Sequence, residues 1–376
     1  MADGRTRIIK QAWQSHGPVD VAPILTGVLE PEGFHVERRR YRDGATLVPI
    51  HEARIVSFLR GGAQANDSHL GALAFRAGSH VFTPPGHALT LEVQAGSELV
   101  VLTTNQAAGS RTRGEQVIIR SERFLSACAT ESQMLRWILT PQYVSRRIFL
   151  HHDRTLVSKS GDPVSWFRTT MVDVEGLPHN EQGQSVFKMS YNSRTEFNVL
   201  YDVRGDGRVR FAQHPYAEQG QTWGPWNSLD SETTYHLSEP RELGSPRNKH
   251  EVTAHGGHVS LFCLFDPAPT GVERHQPGAY SDYEAYEVVS KRPEFTTHQG
   301  TIGPFDKMVD VLSIAEAQGK DWRGSAAFRE EREVFEAGLS AQVALEARLC
   351  EANPERRAIL AAWTTDAQGE PKIWGA

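Results

Sequence analysis

From Arg194 to Tyr201 the chain alternates in a chemically suggestive way. If extended, it puts Arg194, Glu196, Asn198 and Leu200 on one face and Phe197, Val199 and Tyr201 on the other. A face that turns Arg, Glu and Asn inward must satisfy them through a metal, a ligand or one another, because unpaired buried polar groups cost kilocalories. The alternative is the solvent side of an ordinary half-buried strand. A histidine also follows a proline turn twice, in Thr83-Pro84-Pro85-Gly86-His87 and in Ser245-Pro246-Arg247-Asn248-Lys249-His250. Each turn comes after a strand pattern that runs into glycine, Ile55 to Gly61 and Phe197 to Gly205. A histidine pinned at the mouth of a small barrel suits metal or ligand binding.

Other candidates lie nearby. His236 sits in the strand pattern just before the second turn, and His214, His255 and His258 are further imidazoles in the same half. His151 and His152 are adjacent, so on a strand they face opposite ways and do not share an ion. Trp223-Gly224-Pro225-Trp226 reads as a loop whose indoles cover a barrel mouth or pack against it.

The elements that must position these groups are mostly short strands. From Val19 to Thr104, strand patterns are broken by Gly, Pro and Asn-Asp, which predicts an antiparallel sandwich or barrel. A second β-rich block runs from Ser145 to Ser290, with Gly205-Asp206-Gly207 and His255-Gly256-Gly257 expected as tight turns. Between them, apolar positions from Glu122 to Leu139 fall near helical spacing and predict a connecting helix stopped by Pro141. Helical periodicity returns at Phe305 to Ala317, Ser325 to Cys350 and Glu355 to Trp363. The expected organisation is a barrel over 1–120, a linking helix over 121–144, a second barrel over 145–295 and a helical tail over 296–376. That tail packs on the barrels or against a second copy in a homodimer.

Composition excludes several classes. The formal net charge of −6 argues against a nucleic-acid surface, which needs clustered positive charge. The arginine run from Arg38 to Arg42 is expected to be a solvated face. No stretch approaches the roughly 20 apolar residues of a membrane span, and the first residues lead into no signal-peptide pattern. Cys128, Cys263 and Cys350 form no disulfide framework or zinc pair, which fits a reducing cytoplasm. No P-loop, G-x-G-x-x-G turn or G-x-S-x-G elbow is present.

The repeated strand and histidine-turn pattern resembles a bicupin, a chain of two cupin barrels, over about residues 40–105 and 185–270. That resemblance implies a mainly β fold of two antiparallel barrels. The cupin pattern places two histidines and a glutamate before a glycine, then a histidine after a G-x5-P-x-G turn. Counted back from Gly205, the glutamate position is Asn198 and the paired-histidine positions fall near Asn192 and Arg194. In the first barrel the glutamate position is Arg54, His51 is only near a histidine position, and His87 comes two residues early. The first barrel therefore lacks a full ligand set. Thr195-Glu196-Phe197 resembles the segment that supplies the iron-binding glutamate in homogentisate dioxygenases, although Ser190 stands where that family has histidine.

Taken together, the resemblances imply an enzyme acting on a small organic molecule at one mononuclear metal site in the second barrel. Glu196 and His250 would be ligands, with His214, His236, His255 or His258 as the second imidazole. His236 is the one on the strand just before the turn. Such a face favours Fe(II) and oxygenase chemistry, with Arg194 pairing a substrate carboxylate and Asn192 and Asn198 orienting water or substrate. Zinc or manganese would support isomerisation or hydrolysis instead. The alternatives are a metal-free binding or sensor module, and a metal-free isomerase or epimerase using His250 or His236 as the acid–base group.

Overall fold

The computed structural model describes residues 7–24, 34–105, 107–110, 116–121, 124, 135–139, 143–151, 156–157, 168–176, 187–190, 196–211, 224–237, 249–265, 286–288, 304–324, 329 and 332–333. The chain divides into two compact units. The leading unit comprises Ala12–Met134, Asp153–Val164 and Ser290–Ala376. The trailing unit comprises Met1–Gln11, Leu135–His152 and Ser165–Val289.

In chain order the first strands are β1 (Arg7–Lys10), β2 (Gln14–His16), β3 (Val19–Pro23), β4 (Phe34–Tyr41), β5 (Ala45–Leu47) and β6 (Ala53–Arg60). There follow β7 (Gly62–Asp67), β8 (Gly71–Arg76), β9 (Ser79–Thr83), β10 (Leu91–Val93), β11 (Glu98–Thr104), β12 (Gly109–Ser110) and β13 (Ile118–Ser121). Then come β14 (Leu135–Leu139), β15 (Tyr143–His151), β16 (Leu156–Val157), β17 (Arg168–Gly176), β18 (Phe187–Ser190) and β19 (Glu196–Phe211). The last are β20 (Asn227–Ser228), β21 (Thr233–Leu237), β22 (Lys249–Phe265) and β23 (Tyr286–Val288), followed by helix α1 (Pro304–Ala317). The fold is mainly β and its strand pairings are antiparallel, as the sequence predicts. No helix of the described residues is long and apolar enough to cross a membrane.

In the leading unit a seven-stranded sheet, ordered β13-β9-β6-β11-β4-β3-β2, accompanies a four-stranded one ordered β5-β10-β7-β8. Their inner faces share one core, which includes Tyr41, Val56, Phe58, Phe75, Val81, Leu91, Leu99 and Ile119. Phe58 stacks on Phe75 with centroids 5.8 Å apart. The chain passes from β6 to β7 at Gly61, whose φ of 68° few side chains tolerate. A Cβ on Gly62 would stand 2.2 Å from the Phe75 carbonyl oxygen, so the backbone approach there also requires glycine.

Helix α1 starts on a proline, whose missing N–H costs nothing at that position. It ends where Lys320 N donates to the Ala315 carbonyl at 3.0 Å and Gly319 takes φ 66°, a left-handed stop. Val309, Leu312, Asp310 and Ser313 are buried on it. It coincides with the helix expected at Phe305 to Ala317. The further helices expected at Ser325 to Cys350 and Glu355 to Trp363 lie outside the described residues, apart from helical positions at 329, 332 and 333.

The trailing unit is built on one ten-stranded sheet, whose path runs β1-β21-β19-β22-β17-β15-β14-β23. Its spine is the β19–β22 pair, in register from Glu196↔Phe265 to Phe211↔His250. Two expectations are corrected here. Gly205-Asp206-Gly207 and His255-Gly256-Gly257 are not tight turns. They lie within continuous strands and meet across the ladder near Asp206↔His255, beside an irregularity between Arg204 and Asp206. Gly205 has φ 75°, so the ladder bends there without breaking. The connecting helix expected from Glu122 to Leu139 does not reach its predicted end. Leu135–Leu139 is strand β14, paired with β15 and β23, because its alternation suits a sheet position between two partners.

Candidate functional site

The best-defined polar site is at the end of the leading core. Arg54 has the same strand parity as the core residues Val56 and Phe58 and stands in register opposite Thr83. It is 1% exposed. Its guanidinium donates to the Val48 carbonyl and, at 3.1 Å, to the Leu89 carbonyl. Burial, with the Arg39 guanidinium acting on it, lowers its pKa to about 10 despite an opposing effect of Tyr41. Its Nε and the neighbouring Thr83 Oγ1 are buried without a hydrogen-bond partner. Near this end, Asp67 Oδ2 pairs with His87 Nε2 at 2.5 Å, while Asp67 Oδ1 accepts from the His69 and Leu70 amides, both at 2.8 Å. Burial opposes ionisation of Asp67, but these hydrogen bonds from His87, Leu70 and His69 outweigh it and lower the pKa.

The two units share a positional code. Arg54 lies seven positions before Gly61, and Asn198 seven before Gly205; both glycines have positive φ. On the far side of the bend, Ala65↔Leu91 in the leading unit corresponds to Val209↔Val252 in the trailing one. Two positions earlier on the partner strand stand Leu89 and His250. In the leading unit the Arg54–Leu89 hydrogen bond shows that the bend brings these positions together. Asn198 and His250 occupy the corresponding positions in the trailing ladder.

Asn198 is fully buried, as are Leu200 at the next position of its parity and Tyr235, its register partner on β21. The face of Asn198 and Leu200 is therefore not a solvent side. Glu196 opens β19 opposite Leu237 and Phe265. His236 stands opposite Phe197, so it has the opposite parity to Asn198 and Glu196. His250 is opposite Phe211 on one side and Met189 on the other. Trp226 is half-buried, with the Arg210 guanidinium 4.6 Å from its ring centre. Asn192, Arg194 and Trp223 lie outside the described residues.

Among the described residues no group of three His, Cys, Asp or Glu side chains is placed to hold a metal ion. At the leading site stand the cation Arg54 and the hydrocarbon Leu89, and neither side chain is a metal ligand. His87, the residue the sequence singled out, is instead held by Asp67.

A second buried polar constellation was missed by sequence reasoning. Register places Arg120, His80, Ser57, Val100 and Arg38 in one row across five strands of the leading sheet. All are 2% exposed or less. Arg38 pairs with Glu98, and Arg120 Nε donates to Asp310 Oδ1 on α1 at 3.0 Å. This corrects the expected solvated arginine run. Arg42 is well exposed, but Arg38 is buried, and Arg40 lies 4.2 Å from the Trp13 ring centre. His80 is wholly buried, and burial and Arg120 lower its pKa to about 3, so it is neutral.

No protein-family model matches the chain, and none of the curated proteins matches it. Solved structures that it resembles include AerE from Microcystis aeruginosa, at 9% identity and TM-score 0.41, covering 69% of this chain and 99% of that one. Another is Streptomyces albus HEPD with 2-hydroxyethylphosphonate and Fe(II) bound, at 9% identity and TM-score 0.44, covering 71% and 77%. A third is a cupin 2 conserved barrel domain protein from Leptotrichia buccalis, at 10% identity and TM-score 0.38, covering 69% and 96%. Likenesses at this level carry no chemistry across to this chain.

Proposed function

We propose that this chain is a bicupin that binds a small organic molecule in its trailing barrel without a metal. Asn198, Tyr235 and His250 are the groups to test, with Arg194 as the partner of a ligand carboxylate. The observation that carries this reading is the complete burial of Asn198 at the position where the pattern has glutamate. An amide there orients a ligand by donating and accepting hydrogen bonds, but it is a poor metal ligand. Asn192 and Arg194, at the paired-histidine positions, do not supply imidazole either. His250 is the acid–base group if the bound molecule is isomerised or epimerised.

The second reading is an Fe(II)-dependent oxygenase with Glu196, His250 and His236 as ligands. It draws support from Glu196, which holds the next position of the same parity before the buried Asn198. Against it, His236 holds the opposite parity, and Glu196 stands outside the Asn198–His250 correspondence.

Metal analysis of untagged protein separates the two. Iron well below one equivalent, with ligand binding weakened in Asn198→Ala and His250→Ala but not in Glu196→Ala, supports the metal-free reading. About one equivalent of iron, lost together with activity in Glu196→Ala and His250→Ala, overturns it in favour of the oxygenase.

A further inference from the structure

We infer that the leading barrel has its own site for a small organic monoanion, a carboxylate with an apolar body, held by Arg54 and Thr83. This goes beyond the trailing-barrel reading and does not depend on it. Arg54 is a buried cation whose two hydrogen-bond acceptors are both neutral carbonyls. An unpaired buried charge is among the most expensive features a fold can keep. Beside it in register, Thr83 Oγ1 is also buried and without a partner. An arginine N–H and a threonine hydroxyl side by side are a complementary pair of donors for one carboxylate. Beyond them lies the hydrocarbon core of Val56, Val81 and Leu91, chemistry that suits the rest of such a ligand.

In the present structure the site is shut, since the Val48 carbonyl occupies part of the guanidinium. Val48 lies just after β5 and is 59% exposed, the large hydrophobic side chain left most open to solvent among the described residues. A carboxylate entering here takes the place of the Val48 carbonyl, and the 48–52 segment becomes its cover.

Calorimetric titration of the full chain with sodium acetate, sodium hexanoate and sodium benzoate tests this, with hexanamide as the uncharged control. Hexanoate or benzoate is expected to bind, with hexanamide at least about tenfold weaker, the scale of one charged hydrogen bond. Thr83→Val should weaken carboxylate binding several-fold, and Arg54→Gln should abolish it at this site. Should Arg54→Gln fail to fold, Thr83→Val and the amide control decide. The proposal is overturned if none of the three carboxylates binds, if hexanamide binds equally well, or if Thr83→Val binds like the parent. Binding lost in Asn198→Ala but kept in Thr83→Val would overturn it too, and would assign the anion to the trailing barrel.

Discussion

Arg120 of strand β13 and Asp310 of helix α1 form a buried ion pair, Nε to Oδ1 at 3.0 Å, with the two residues 0% and 1% exposed. The Ser121 amide donates to Ser313 Oγ at 2.9 Å one helical turn further on. The helix is thus tied to the sheet by polar groups as well as by Ile314 and Ala317, which join the core of the unit. Asp310→Ala removes the carboxylate of this buried pair and is expected to cost about 3–5 kcal/mol in urea unfolding. Arg120→Met combined with Asp310→Leu should recover most of that loss. A double variant as unstable as the single would show that the charge is not the cause.

His80 makes stability depend on pH. Its pKa falls from 6.5 to about 3 on folding, so below 6.5 the unfolded chain binds a proton that the folded one refuses. Its contribution is complete above pH 6.5 and declines as pH falls towards 3, by up to about 1.4 kcal/mol per pH unit. His80→Phe should flatten the unfolding free energy across that window. An unchanged slope would place the titration elsewhere.

Asp67 acts lower on the scale. Its folded pKa lies below the ordinary 3.8, so its stabilisation is present above that value and lost as pH falls through the depressed one. Asp67→Asn should lower stability near neutral pH by about 1.5–3 kcal/mol, the range for hydrogen bonds to a charged group. The deficit should shrink in acid. A deficit independent of pH would indicate a packing effect rather than the loss of a carboxylate.

Gly62 offers a steric test. Its Cβ would press on the Phe75 carbonyl oxygen at 2.2 Å, a backbone atom within the β7–β8 ladder. Gly62→Ala should cost roughly 1–3 kcal/mol or more, read as a fall in melting temperature. Gly71→Ala, at φ 76° with nothing within 4 Å of the added carbon, isolates the backbone cost alone. Equal losses in the two variants would argue that crowding at Gly62 is relieved.

Much of the strand content was legible because alternation and glycine spacing are local signals. Counting seven positions back from Gly205 leads to Asn198, a position that the structure buries completely. His87 stands two residues before the position that the sequence pattern expects, and the ladder likewise gives Leu89 the place equivalent to His250. The Arg38 run looked solvated because the row that buries it is assembled from five strands far apart in sequence. Leu135 to Leu139 looked helical because apolar residues at two-residue and near-four-residue steps overlap in so short a stretch. The glycine pairs at 205–207 and 256–257 looked like turns because a bend in a continuous ladder uses the same residue as a chain reversal.

Strand β1 has consequences for synthesis on the ribosome. Arg7–Lys10 pairs with Thr233–His236, so its edge closes only after more than 200 further residues have been made. At the other end, α1 completes a unit whose sheet was made long before. A cut after Met134 would leave the early strands without Asp310, and the later ones without residues 7–10. Neither contiguous fragment carries all the parts of either unit, so separate expression of two halves should yield soluble material only when both are made together.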